Sequence, residues 1–394
     1  MRVLCSTTPV EGAFAPFVPL GLALVRAGHE VIVATGSDLQ RRVAEQGFAG
    51  AIAGPTAMES GAAARADPIV QGASPGEQLQ FNSAMFGEII PARKLPALRE
   101  LADAFAPDLV LHPPVDLAGP LLAAERRLPS GCCGYLHPLG AQVLNAMAER
   151  VAPLWEQAGL VPDPYAGLYR SRYLDPCPPT LRSDRGAAEP IAQPIRPEIP
   201  GDPQASLPAW VEQLGSRPTL YVSLGTVRLF NQLSVFQRLL EELVKEDIEL
   251  VVTVSELHDP AALGELPPTA HVEQWLPLAS ILPRCDAVLC HAGTGTTLAA
   301  LTAGLPLVLV PQGADQFTNA KSCQAAGVAR ALLPAEVTPT AVRDAVRSVL
   351  ATDSAERAVA QLIAVEIVQM PPATDVALSI TKRTAPEHHP PTTT

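Results

Sequence analysis

The sequence predicts an α/β protein of two parallel-sheet domains facing each other across a cleft, and three observations carry that prediction. Short apolar runs of strand length alternate with apolar helical segments from the first residues onward, as βαβ units require. The alternation stops at a proline-rich stretch between about Cys177 and Pro208 and starts afresh at Leu220. The 394 residues, 47% of them hydrophobic, exceed one ordinary domain and suit two of roughly 150–200 each.

Arg2 to Ser6 reads as a buried first strand, with Val3, Leu4 and Cys5 in one apolar run. After a loop from Thr7 to Pro16, an apolar helix runs from about Val18 to Ala27. Gly28 stops it in the C′ position that glycine favours, and Val31 to Ala34 is the second strand. Leu95, Leu98, Leu101 and Ala102 have helical spacing within Pro91 to Phe105. A strand from Leu109 to Leu111, a helix from Leu117 to Ala124 and a strand entered at Gly131 to Gly134 follow. Cys177 to Pro208 is too rich in proline for a helix or a central strand and reads as a linker. Beyond it, strands are expected at Leu220 to Ser223, Leu250 to Val254, Ala287 to Leu289 and Leu307 to Val310. Helices near Val235 to Lys245 and Thr340 to Leu350 flank them, and a last apolar helix spans about Ala355 to Met370. The terminal APEHHPPTTT has the composition of a disordered tail, His388 and His389 included.

Bulk properties exclude several classes. A net charge of −12 and an isoelectric point near 5.2 argue against nucleic-acid and acidic-membrane partners, which call for basic patches. Seven cysteines without a C-x-x-C pair suggest reduced thiols in a cytoplasmic protein and offer neither zinc nor redox chemistry. No cluster of metal-ligating residues stands out. The opening MRVLCSTTPV is too short in its apolar run for a signal peptide. No apolar stretch approaches ~20 residues without proline, glycine or charge.

The richest stretch runs from Cys290 to Asn319. The apolar run Ala287 to Cys290 delivers His291 to a glycine-rich turn, Gly293-Thr294-Gly295. Thr296 and Thr297 then open an apolar helix from Leu298 to Ala303 that stops at Gly304. Leu307 to Val310 is the next strand, and after Pro311 a polar loop carries Asp315, Gln316 and Asn319. Backbone N–H groups at a helix start form an anion site, and Gly293 and Gly295 let a phosphate approach the main chain. His291 and the Thr296 hydroxyl add donors, while Asp315 and Gln316 pair an acceptor with an amide for sugar hydroxyls. The unit suits a phosphorylated sugar.

This thirty-residue arrangement resembles the C-terminal signature of family 1 glycosyltransferases, the nucleotide-sugar-dependent enzymes of GT-B fold. It is nearest the bacterial members that decorate polyketide and other antibiotics with deoxysugars. The resemblance implies two Rossmann-like βαβ domains. Residues 1–200 would bind the acceptor and end in the linker, and 201–354 would bind the nucleotide sugar. Residues 355–394 would be a helix returning to the first domain, plus the tail. It implies metal-independent, inverting transfer with no cofactor beyond the nucleotide-sugar co-substrate, and leaves a homodimer open. Ser223-Leu224-Gly225-Thr226 matches a loop beside the donor phosphates, and Trp275 the tryptophan that stacks on the base. Many relatives carry a glutamine where Leu278 stands, in contact with the pyrimidine edge. Ala299 stands where plant relatives hold the ribose hydroxyls with a glutamate, which favours a dTDP donor over UDP. The small-residue region from Gly61 to Gln80 is expected to line the acceptor side. Ala13, Phe14, Phe81, Met85, Phe86 and His137 are the candidate acceptor contacts, although the aromatic and Met residues could equally be ordinary core.

One departure stands out. Transfer to an alcohol ordinarily needs a general base, in this family a histidine in the loop after the first strand. Here the matching segment is Glu11-Gly12-Ala13-Phe14-Ala15-Pro16, with Ala13 in the histidine's place, and Pro113 stands where its partner aspartate is expected. Asp116, Glu11 and His112 are the remaining candidates for proton handling. The purely structural role of Asp116 would be to cap the helix that begins at Leu117. The expected function is deoxysugar transfer from dTDP to a polyketide-like or aromatic aglycone. The alternatives are a catalytically impaired homologue acting as a helper or binding protein, and altered chemistry such as C-glycosylation.

Overall fold

The computed structural model describes residues 1–67, 70, 75–183, 185–202, 204–227 and 229–382. Its N-terminal half holds a parallel sheet of seven strands: β1 (Arg2–Ser6), β2 (Glu30–Thr35), β3 (Ala49–Ile52), β4 (Leu109–His112), β5 (Ser130–Cys133), β6 (Tyr173–Asp175) and β7 (Ala192–Pro194). They lie in the order β3-β2-β1-β4-β5-β6-β7. The C-terminal half holds six parallel strands: β8 (Thr219–Ser223), β9 (Glu249–Thr253), β10 (Ala270–Glu273), β11 (Ala287–Cys290), β12 (Leu307–Leu309) and β13 (Ala329–Ala331). Their order is β10-β9-β8-β11-β12-β13. In each sheet the strand order reverses beside the first strand, between β1 and β4 and between β8 and β11, where open α/β sheets bind ligands at their carboxyl edge.

Every central strand is buried on both faces, so it reads as an apolar run rather than an alternation. In the N-terminal half, Val3, Cys5, Val31, Val33 and Leu111 pack one face against helices Val18–Arg26 and Ala373–Lys382. Leu4, Ala34 and the helices Ile90–Phe105, Ala118–Arg126 and Ala141–Gln157 fill the other. The C-terminal sheet is covered by Leu233–Leu243 and Pro339–Leu350 on one side. Thr294–Thr302, Gln316–Ala325 and Ala355–Gln369 cover the other.

The sequence expectations need correction at four places. The polar segment after β12 is no loop beyond Asp315: Gln316–Ala325 is a helix, with Gln316 and Asn319 in its first turn. The helix after β11 starts at Thr294, so Gly295 and Thr296 belong to its first turn. The linker stretch contributes an edge strand, β7, where a proline costs no central ladder bond. The expected last helix forms as Ala355–Gln369, but beyond Pro371 and Pro372 a further helix, Ala373–Lys382, follows it. Of these, Ala360, Ile363 and Ile367 pack into the C-terminal core and Val376, Ala377 and Ile380 into the N-terminal one. That segment, Ala355–Ile380, is also the only stretch among the described residues long and apolar enough to cross a membrane.

Within Gly61 to Gln80, helices Ala57–Arg65 and Pro75–Ala84 are formed. Residues 68–69 and 71–74 of that region, and the histidine-bearing tail from 383 to 394, lie outside the described residues.

Candidate donor and acceptor site

The donor-side geometry is set by β11. After Cys290 the chain turns sharply, with Ala292 at a φ of 65°, a left-handed conformation that costs a non-glycine residue roughly 1–3 kcal/mol. Gly293 then caps helix Thr294–Thr302. The His291 ring is buried between two glycines. A Cβ on Gly225 would lie 2.6 Å from its Cε1, and one on Gly293 would collide with its Nε2. These glycines therefore make room for the imidazole, whereas the space beside Gly295 is open to 4 Å. Burial lowers the His291 pKa to about 4 against a backbone hydrogen bond with Ser223 that raises it, so the ring is neutral at pH 7. Its Nδ1 has no partner among the described residues.

Asp315 closes the site from the end of β12, following Ala314 at a φ of 53°. The Thr294 hydroxyl donates to its Oδ2 at 2.8 Å, and Asn319 Nδ2 donates to the same oxygen at 2.9 Å. Asn319 also donates to the Ala292 carbonyl at 2.9 Å, which fixes the turn after His291. Burial raises the Asp315 pKa, and the bonds from Thr294 and Asn319 oppose that shift. Gln316 Oε1 accepts from the Gln312 and Gly313 amides at 2.8 and 3.2 Å. Its amide is thereby oriented, with the NH2 group left as the donor for a ligand. An acceptor, an amide donor and a helix N-terminus thus converge at one sheet edge.

The remaining donor candidates flank this centre. The Ser223 hydroxyl accepts from Gly225 N–H at 3.3 Å, Gly225 adopts a φ of 75°, and Thr226 is exposed. Trp275 is 54% exposed, unusual for so large an apolar side chain. The N-terminal half reaches the same site. Leu136 N–H donates to the Thr294 hydroxyl at 3.3 Å, and the Arg42 guanidinium lies 5.9 Å from the Trp275 ring centre.

The whole chain matches known proteins. Residues 22–225 match the N-terminal domain, and 237–382 the C-terminal domain, of a family described as erythromycin biosynthesis protein CIII-like. The chain belongs to this family of glycosyltransferases. The L-demethylnoviosyl transferase of Streptomyces niveus is 33% identical over 386 residues, 96% of this chain and 97% of that one. Among solved structures, the glycosyltransferase SnogD of Streptomyces nogalater superposes with a TM-score of 0.79 at 29% identity, covering 98% of this chain and 100% of its own. SsfS6 of Streptomyces sp. SF2575, complexed with thymidine diphosphate, gives 0.77 at 27% identity over 97% of this chain and 99% of its own. The protein is thus a nucleotide-sugar-dependent glycosyltransferase of the antibiotic deoxysugar-transferring type, with two Rossmann-like domains in the GT-B arrangement.

In this glycosyltransferase, the N-terminal candidates are mostly buried. Asp116, a candidate for proton handling, is fully buried and ion-paired with the equally buried Lys94. Its Oδ1 accepts from the Ser6 hydroxyl at 3.0 Å and from Gly119 N–H at 2.8 Å, the latter the helix-capping role. Lys94 Nζ also donates to the Thr7 and Ala34 carbonyls at 2.6 and 3.1 Å, tying down the carboxyl ends of β1 and β2. The carboxylate is locked in place by these contacts. His112 is buried beside it, its pKa lowered to about 4 by that burial. Its Nδ1 lies 3.3 Å from the Pro113 carbonyl, and its Nε2 has no partner among the described residues. Glu11 is paired with Arg42 at 3.0 Å and is 30% exposed.

Ala13 and Phe14 are core residues, and Phe14 meets Phe48 edge-on at 6.1 Å. Phe14 packs as the ordinary-core alternative describes. Phe81, Met85 and Phe86 gather with Ala64, Val70 and Ile90 in a small separate cluster. It sits over a π-helical turn, Met85–Ile89, of the sort that often marks functional positions. His137 is buried, 3.4 Å from both Ser183 Oγ and Arg185 Nη1, with its pKa lowered to about 4 by burial and by Arg185. Sequence reasoning missed Arg42 and Lys94 because neither carries a motif. Their roles come from contacts across the fold, at sequence distances no pattern reports.

Proposed function

We propose that this glycosyltransferase moves a deoxysugar from a dTDP donor to an aromatic, polyketide-like aglycone, inverting the anomeric centre without a metal. The observation that carries the reading is the Thr294–Asp315–Asn319 network with the oriented Gln316 amide at the start of helix Thr294–Thr302. In this reading the first N–H groups of that helix and the neutral His291 hold the diphosphate, which a helix start favours. Asp315 and Gln316 hold the sugar, and Trp275 carries the base. The thymidine diphosphate bound to SsfS6 supports the donor class. So does Ala299, which is buried and gives the helix no carboxylate for a ribose hydroxyl.

The acceptor class follows from the proton. With Asp116 paired, His112 buried and Glu11 held by Arg42, an acceptor hydroxyl that ionises easily is favoured. A phenol, whose ordinary pKa is about 10, meets that need better than an alcohol. The same placement favours, as a second reading, a homologue that binds the donor without turning it over. Incubation with a dTDP-deoxysugar and an aromatic polyketide aglycone, followed by mass spectrometry, separates the two. Glycosylated aglycone and free dTDP support transfer. Donor binding without product sinks it in favour of the second reading.

A further inference from the structure

Arg42 lies on the short helix Gln40–Glu45 of the N-terminal half, opposite the exposed indole of Trp275. Its guanidinium is fixed in advance: Nε donates to Glu11 Oε1 at 3.0 Å and Nη1 to Glu45 Oε2 at 3.3 Å. These two pairs leave Nη2 outside them. The helix itself is tethered across the cleft, because Arg41 Nη2 donates to both oxygens of Glu256 at 3.2 and 3.0 Å. On the C-terminal side, the residues flanking the indole offer little to a base edge. Leu278 is apolar and packs against the C-terminal core. Gln274 uses its NH2 group on the His258 carbonyl at 3.2 Å.

We propose that Arg42 reads the pyrimidine of the donor nucleotide from the opposite half of the molecule. This rests on Trp275 being the nucleobase platform. A guanidinium only donates hydrogen bonds. A pyrimidine-2,4-dione such as thymine presents carbonyl acceptors at both positions, whereas cytosine replaces one of them with a donating amino group. Arg42 therefore selects diones over 4-aminopyrimidines, independently of the sugar. Its anchoring by Glu11 and Glu45 orders the side chain before the nucleotide arrives, which lowers the cost of binding.

The test is calorimetric titration of the full chain with dTDP and with dCDP, in the unsubstituted protein and in Arg42→Met, Arg42→Lys and Arg41→Met. The unsubstituted protein is expected to prefer dTDP by at least about tenfold, the scale of one charge-assisted hydrogen bond. Arg42→Met brings the ratio close to one by weakening dTDP. Arg42→Lys, which keeps a donor, retains part of the preference, and Arg41→Met, which removes the tether to Glu256 and a pair with Glu45 but leaves both anchors of Arg42, keeps the ratio. Equal affinities in the unsubstituted protein, or a ratio untouched in a folded Arg42→Met, overturn the assignment while leaving nucleotide binding intact. Absence of any nucleotide binding in the folded, unsubstituted protein removes the platform reading itself.

Discussion

Replacing Gly295 with alanine separates what the fold needs from what a ligand needs. Gly295 is exposed in the first turn of helix Thr294–Thr302, outside the left-handed region. An added Cβ meets no heavy atom within 4 Å. Nothing in the protein therefore opposes the methyl group, and alanine's helix propensity should stabilise the chain by up to about 1 kcal/mol. A phosphate at the helix start would meet that methyl group where it seeks the N–H groups of Gly295 and Thr296. Losing one charge-assisted hydrogen bond costs about 1.5–3 kcal/mol, a ten- to hundredfold loss of affinity. Urea unfolding would read the first quantity and dTDP titration the second. A Gly295→Ala protein that binds dTDP within twofold of the unsubstituted chain would refute the reasoning, because the diphosphate would then lie elsewhere.

Other outcomes follow from the same geometry. Lys94→Met should destabilise the chain by roughly 3–5 kcal/mol, since it strands the buried Asp116 carboxylate. The double variant with Asp116→Leu should recover part of that loss, and a double-mutant cycle by urea unfolding checks it. His291→Ala should leave a folded protein with weakened dTDP binding, read by calorimetry. His112, His137 and His291 all have folded-state pKa values of about 4, below the usual value. Their contribution to stability is therefore complete above about pH 6.5 and is lost as the pH falls toward 4, because the unfolded chain binds the protons first. Between pH 6.5 and 5 each should cost roughly 2 kcal/mol. Unfolding measured across that range should steepen accordingly, and each His→Gln variant should flatten it by its own share.

The apolar strands at the sheet centres were legible because burial on both faces leaves a continuous signature. Val3 to Cys5 and Ala287 to Cys290 are such runs. The edge strands β3, β10 and β13 are short and partly exposed, and nothing in their composition separates them from loops. The helix Gln316–Ala325 was hidden because its first turn is polar, and that polarity serves the site rather than a solvent face. The capping box Thr56 to Glu59 was a readable start signal for helix Ala57–Arg65, in a stretch whose alanines and glycines otherwise show no period. The candidates His291, Thr294, Asp315 and Gln316 lie within one strand–helix–strand unit and the turn that follows it, so their grouping was legible from spacing. The N-terminal candidates depended on which way each side chain points, and Asp116 turns inward because Lys94 waits there.

Calorimetric titration of the purified protein with dTDP, and with UDP beside it, tests the central claim most directly. The account predicts saturable one-to-one binding of dTDP that exceeds UDP and is weakened in His291→Ala. Absence of binding to either nucleotide, in a protein with a cooperative unfolding transition, would contradict the donor site assembled around His291, Thr294 and Asp315.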